Sequence, residues 1–180
     1  MSRTVAGRGT TGRGRTRKDR RLQVGTQETR DRRQARPVVC TVGHSDRSAE
    51  ELDALLEAAG ITHVVDVRSA PWSRRFPWHG KDELERRVRR SGREYLWLGA
   101  ALGGLRPEGY TAHQASDLYR RGLDQVIALA RLGRPALLCA ERDPAHCHRR
   151  FIADDLVRAG IVVRHLVDPG HELFHQIPLL

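Results

Sequence analysis

The sequence predicts a single Rossmann-like, three-layer α/β domain: a mostly parallel sheet of five strands, in the order 3-2-1-4-5, with helices on both faces. Three observations lead there. Apolar runs of strand length alternate five times with segments of helical periodicity. The runs are nearly continuous in apolar residues, as in parallel strands covered on both faces. Right-handed crossovers then make a doubly wound sheet the simplest arrangement.

The chain opens on a segment outside this pattern. Residues 1–36 hold 12 Lys and Arg against 3 Asp and Glu, a net +9, whereas residues 37–180 hold 20 against 19. The formal net charge of +10 therefore belongs to a basic tail and not to the body. The tail has too few large apolar groups to offset the entropy of ordering, and disorder is expected over 1–36. Its Arg/Gly/Thr composition has two readings. Only Lys18 and Lys81 are lysines among 32 basic residues, a bias typical of GC-rich coding sequence. The same composition suits an arm that neutralises nucleic-acid phosphates.

From Pro37 to Leu180 the elements follow in order. Val38–Val42 is a β-branched run closed by Gly43. Ser48 and Glu51 have the spacing of a capping box, and Leu52, Leu55, Leu56 and Ala59 recur at helical spacing up to Gly60. Val64–Val67 is a second strand, interrupted by Asp66, and leads into a Pro/Trp/Arg-rich loop. Residues 81–91 read as a charged helix with Leu84 and Val88 inward. Tyr95–Leu98 is a third strand, followed by a Gly-rich loop to about Tyr110. Tyr119, Leu123, Val126, Ile127 and Ala130 share one helix face, stopped by Gly133 and Pro135. Ala136–Ala140 is a fourth strand. Asp143-Pro144 is a helix start, cap and first position, and Ile152, Leu156 and Ala159 carry that helix to Gly160. Ile161–Leu166 is a fifth strand, and the residues after it show no period.

Several classes are excluded. No apolar run reaches the length of a membrane span, and no membrane partner is expected. The opening residues lack the apolar core of a secretory signal, and three cysteines do not make a disulfide framework. A reducing, cytoplasmic setting is the expectation.

Ligands of open α/β sheets bind outside the carboxyl ends of the strands. The polar residues stand there: His44 and Ser45 after the first strand, Asp66 and Arg68 at the second, Cys139, Glu141 and Arg142 after the fourth, then Cys147, His148 and Arg149. His44, Asp66, Glu141, Cys147 and His148 are the expected catalytic groups. In this reading His44 moves a proton and Asp66 or Glu141 orients it. Arg68, Arg74, Arg142, Arg149, Ser45 and Trp72 are the expected anion- or substrate-binding groups. Asp66, costly to bury alone, is expected to pair with an arginine or histidine of this set. A purely structural ion pair is the alternative for it, and a small buried hydrophobe the alternative for Cys147. Cys147 is expected in the first turns of the last helix, where a thiol is acidified. No cysteine is followed by five residues and an arginine, the phosphatase-like spacing.

No cofactor is expected. Only Gly43 follows the first strand, so the dinucleotide-binding glycine fingerprint is missing. Metal is not expected either, because the Cys-x7-Cys-His spacing of Cys139, Cys147 and His148 matches no established zinc pattern. The loop 69–80 interleaves Trp72, Phe76 and Trp78 with Arg74 and Arg75, a composition that suits base stacking and phosphate contact.

Four stretches also resemble one prokaryotic family: Thr41-Val42-Gly43-His44-Ser45; Asp66-Val67-Arg68-Ser69-Ala70-Pro71 with Ser73-Arg74; Tyr95 with Leu102-Gly103-Gly104; and Cys139-Ala140-Glu141-Arg142-Asp143-Pro144 with Cys147-His148-Arg149-Arg150. Together they resemble domain of unknown function 488 (DUF488), over about Val38 to Asp168. The resemblance implies a compact α/β domain and no settled reaction.

The leading expectation is an enzyme acting on an anionic substrate, a nucleotide or nucleic acid. The alternatives are a non-catalytic nucleic-acid-binding module using the tail and loop 69–80, and a structural polar network without catalysis.

Overall fold

The computed structural model describes residues 36–177. The expected tail, Arg36 aside, lies outside them. The elements run β1 (Val38–Gly43), α1 (Ala49–Ala58), β2 (His63–Asp66), a 3-10 turn (Pro77–His79), α2 (Lys81–Arg90), β3 (Glu94–Trp97), α3 (Gly99–Leu102), α4 (Tyr110–Gln114), α5 (Asp117–Leu132), β4 (Pro135–Cys139), a second 3-10 turn (Pro144–His146), α6 (Arg149–Arg158), β5 (Val162–Asp168) and β6 (His171–Phe174).

The fold is α/β with a mixed, mostly parallel sheet of six strands. Its order, β3-β2-β4-β1-β5-β6, corrects the expected one. β4 inserts between β2 and β1, so the chain skips a position between its first two strands, unlike the Rossmann-type order. β1 and β4 are both apolar and almost wholly buried, so hydropathy alone does not say which is more central. A sixth strand was not expected. β6 pairs antiparallel with β5 through Leu173 opposite His165 and Phe174 opposite Arg164. It is a short edge strand, largely exposed, and carries no apolar signal beyond Leu173 and Phe174.

Side chains alternate across the strands, and each face builds its own core. Cys40, Val42, Val64 and Leu138 pack with Leu52, Leu55 and Leu56 of α1 and Leu84 and Val88 of α2. Val39, Val65, Leu137 and Val163 pack on the opposite face with Tyr119 and Val126 of α5 and Ile152 and Leu156 of α6. The capping box forms as expected: Ser48 Oγ accepts from the Glu51 amide, and the Glu51 carboxylate accepts from the Ser48 amide at 2.7 Å. Among the described residues, no helix is long and apolar enough to cross a membrane.

The last helix departs from expectation at its start. Asp143 caps only a 3-10 turn, its carboxylate accepting from the Ala145 amide. Cys147 is then extended (φ −126°, ψ 147°), and α6 begins at Arg149. This break lifts Cys147 out of the helix and turns it toward the end of β4.

Candidate functional site

The registers level the strand ends. Gly43 pairs with Cys139, Asp66 with Leu138, and Asp66 with Trp97. Beyond the ends the chains stay tied: the His44 amide donates to Cys139 O at 2.9 Å, Ser45 to Ala140 O at 2.8 Å, and Val67 to Leu138 O at 3.0 Å. Between them opens a cleft of about 760 Å³. Residues from behind β1, β2 and β4 share its walls, with loop 69–76 along the rim.

His44, Ser45, Arg68, Trp72, Glu141, Cys147 and His148 line this cleft. Asp66 and Arg149 lie beneath it, 0% and 1% exposed. Two of the expected anion binders stand outside. Arg74 is an exposed rim residue, and its neighbour Arg75 lines the cleft instead. Arg142 turns to Asp168 at 3.1 Å and toward Asp46 at 3.9 Å. The loop aromatics divide in the same way. Trp72 and Phe76 face the cleft, with Trp72 67% exposed. Trp78 turns away and donates its indole N–H to Arg47 O.

Asp66 pairs with Arg68 of its own strand end, two residues on and on the same face. Arg68 Nε and Nη2 grip both carboxylate oxygens at 2.9 and 2.6 Å, the Arg68 amide adds a third donor at 3.1 Å, and the Tyr95 hydroxyl a fourth at 2.8 Å. A buried charge kept this way has its partners in place. Arg68 Nη1 donates to His79 O at 2.7 Å and to His44 Nε2 at 3.2 Å.

A carbonyl can only accept, so His44 carries its proton on Nδ1, donated to Ser45 O at 3.0 Å. Its remaining lone pair is covered by Arg68. Burial, then the tilted His79 ring with its centroid 4.3 Å away and the Arg68 charge, push the imidazole down to about 4. His44 is thus a neutral, fully engaged ring, and Asp66 touches Arg68 and Tyr95 but not His44. The groups left free to react are on the β4 side.

There Cys139, Glu141, Cys147 and His148 converge. The Cys139 thiol lies 3.1 Å and the Cys147 sulfur 3.4 Å from Glu141 Oε2. His148 Nδ1 lies 3.8 Å from the first sulfur and 3.7 Å from the second. The two sulfurs are pushed apart in acidity. A hydrogen bond from Cys139 and the Arg149 guanidinium hold the Cys147 thiol well below its usual range, against the opposing effect of burial. Cys139, hydrogen-bonded to Cys147 and desolvated, is pushed up. The acidity expected of Cys147 from a helix N-terminus comes instead from these side chains.

Arg149 is the keystone under the wall. Its Nε donates to Cys147 Sγ at 3.2 Å, Nη2 to Glu141 O, and Nη1 to Thr41 Oγ1 at 3.3 Å. Thr41 continues to His165 Nδ1 at 2.8 Å, His165 Nε2 to His175 Nδ1 at 3.0 Å, and His175 Nε2 to Asp154 at 2.8 Å. The Asp154 carboxylate only accepts. With both imidazoles neutral, every link therefore donates in the same sense, from Arg149 outward to Asp154.

Two glycines make room. A β-carbon on Gly104 would stand 2.6 Å from His148 Nδ1, and one on Gly43 would collide with the backbone of Glu141. Sequence reasoning passed over Tyr95 and His79 as site residues. Tyr95 sits in an apolar strand, where nothing but its hydroxyl hints at a buried carboxylate partner.

The fold and site define an α/β protein with a polar cleft at the carboxyl edge of its sheet. The sequence profile of the family described as domain of unknown function DUF488 matches residues 48–156, and the chain belongs to that family. No curated protein and no solved structure matches the chain significantly.

Proposed function

We propose that the protein is an enzyme acting on an anionic substrate of the nucleotide or nucleic-acid class. The observation that carries this reading is the pairing of two unlike walls across one open cleft. One wall groups Cys139, Glu141, Cys147 and His148, a set that can take up and return protons. The other presents Trp72, Phe76 and Arg75, an exposed stacking surface beside a cation. A cleft of about 760 Å³ has the volume typical of small-ligand sites and suits a nucleotide. The Asp66–Arg68–His44 network is structural: it anchors the floor, and proton transfer belongs to Glu141.

The test is a panel of nucleotides and short single strands, with binding read by tryptophan quenching and turnover by product chromatography. Glu141→Gln should abolish turnover and leave binding within a few-fold. Trp72→Ala should weaken binding without changing the melting temperature. Turnover unaffected by Glu141→Gln would overturn the assignment. Binding without product in any member of the panel would favour the second reading, a nucleic-acid-binding module, which the exposure of Trp72 beside Arg74 and Arg75 supports.

A further inference from the structure

We propose that Cys139, Cys147 and His148 are the protein ligands of a zinc-class divalent metal ion, with the fourth position open to the cleft. The spacing in sequence is unlike known zinc motifs, but the break before α6 brings the three together in space. Their ligand atoms all lie within 4.8 Å of one another. The sulfur-to-Nδ1 separations are 3.8 and 3.7 Å. Metal–sulfur bonds of about 2.3 Å and metal–nitrogen bonds of about 2.0–2.1 Å at a tetrahedral angle place those atoms about 3.6 Å apart. Both sulfur–nitrogen separations are therefore within a few tenths of an ångström of the required geometry, and the two sulfurs lie within 4.8 Å of each other.

The surroundings match a metal site on three further counts. First, His148 Nε2 lies 3.1 Å from Val67 O, which can only accept, so the proton is on Nε2 and the Nδ1 lone pair faces the sulfurs. Metal-bound histidines are fixed by this kind of outer hydrogen bond. Second, Arg149 Nε donates to Cys147 Sγ at 3.2 Å, a contact that steadies a ligating thiolate. Third, Gly104 leaves the space that the Nδ1 edge of the ring occupies. Thiolates with imidazole select zinc and cobalt over magnesium and calcium, which prefer oxygen.

Glu141 Oε2, 3.1 and 3.4 Å from the two sulfurs, stands beside the open position. A water there loses a proton to Glu141. Its oxygen bonds to the electrophilic atom of the substrate, and the leaving group departs with the bonding electron pair and takes the proton from Glu141. Two cysteines, one histidine and a non-ligating glutamate are the groups with which zinc enzymes hydrolyse nucleobase amino groups. This hydrolytic step rests on the proposed enzymatic reading; the metal site does not.

The full chain is purified anaerobically, its metal content measured by mass spectrometry, and the stripped protein titrated with Co²⁺. One equivalent per chain with thiolate-to-cobalt charge-transfer absorption is expected. That absorption should disappear in Cys139→Ser, Cys147→Ser and His148→Ala, and persist in His146→Ala, whose side chain is exposed and turned to Asp143. Should the cysteine variants fail to fold, the wild type answers alone: bound metal should shield Cys139 and Cys147 from alkylation, and a chelator should expose them. Absence of the cobalt spectrum, a Cys139–Cys147 disulfide in the anaerobic protein, or a spectrum that survives His148→Ala overturns the site. Metal bound without turnover on any nucleotide would sink the proposed activity and leave the site standing.

Discussion

Gly43 and Glu141 are in backbone contact: a β-carbon at 43 would stand 1.8 Å from the Glu141 carbonyl oxygen and 2.5 Å from its carbonyl carbon. The obstacle is main chain, which cannot rotate aside. Gly43→Ala must therefore push the end of β1 away from the turn after β4. A loss of about 1–3 kcal/mol or more is expected, typical of overpacking. Urea unfolding checks it, and an unchanged midpoint would contradict the contact.

Gly104→Ala should behave differently. Its β-carbon would meet His148 Nδ1 at 2.6 Å and Cγ at 2.8 Å, a side chain that can swing. Stability should change less than for Gly43→Ala, while cobalt affinity falls about 10–100-fold, the scale at which disturbed outer support acts on metal ligands. Equal cobalt affinity in the two proteins would show that the ring is not held where the structure has it.

The Asp66–Arg68 pair is wholly buried, and breaking it should be costly. Asp66→Ala leaves a guanidinium without its carboxylate, and about 3–5 kcal/mol should be lost. Tyr95→Phe removes one hydrogen bond to the same carboxylate, about 1.5–3 kcal/mol. Denaturant unfolding of both variants ranks them; a loss for Asp66→Ala no larger than that of a surface substitution would remove the pair from the floor of the cleft.

Acid should weaken the fold through two histidines. Burial pushes His44 and His165 down to about 4. His44 faces His79, Arg68 and, through it, Asp66; His165 faces His175 and lies near Arg149 and Asp143. Between about pH 6.5 and 4 the unfolded chain binds protons that the folded one refuses. Their contribution is complete above about pH 6.5 and is lost progressively as pH falls toward 4, up to about 3 kcal/mol for each. Unfolding midpoints measured across this range should drop, and His165→Gln should flatten the drop. A midpoint that rises on acidification would refute the assignment.

Much of this fold is legible in the sequence because its local signals agree. Ser48 and Glu51 announce α1, and apolar runs bounded by glycine and proline mark the parallel strands. What was not legible depends on partners distant in sequence. β1 and β4 are equally apolar, so their order in the sheet follows from packing that neither strand encodes alone. β6 forms on exposed residues next to β5 and has no amphipathic period. At the site, the residue types at the strand ends indicate where to look, and Asp66 announces a partner by interrupting an apolar strand. The meeting of Cys139, Cys147 and His148 does not show in the spacing, because it depends on a break at Cys147 in what reads as one continuous helix.

The line of donors from Arg149 through Thr41, His165 and His175 to Asp154 has a direction, and direction is a shared property. With both rings neutral, no link can reverse without its neighbours losing a partner. Asp154, on α6, dictates which nitrogen His175 offers, hence which lone pair His165 turns to Thr41, hence how Thr41 meets the guanidinium under Cys147. The posture of the cleft is thus encoded partly outside it. A substitution at 154 breaks only the hydrogen bond to His175, away from the cleft, and would still retune the sulfur wall, as loosening one peg of an instrument detunes a string plucked elsewhere.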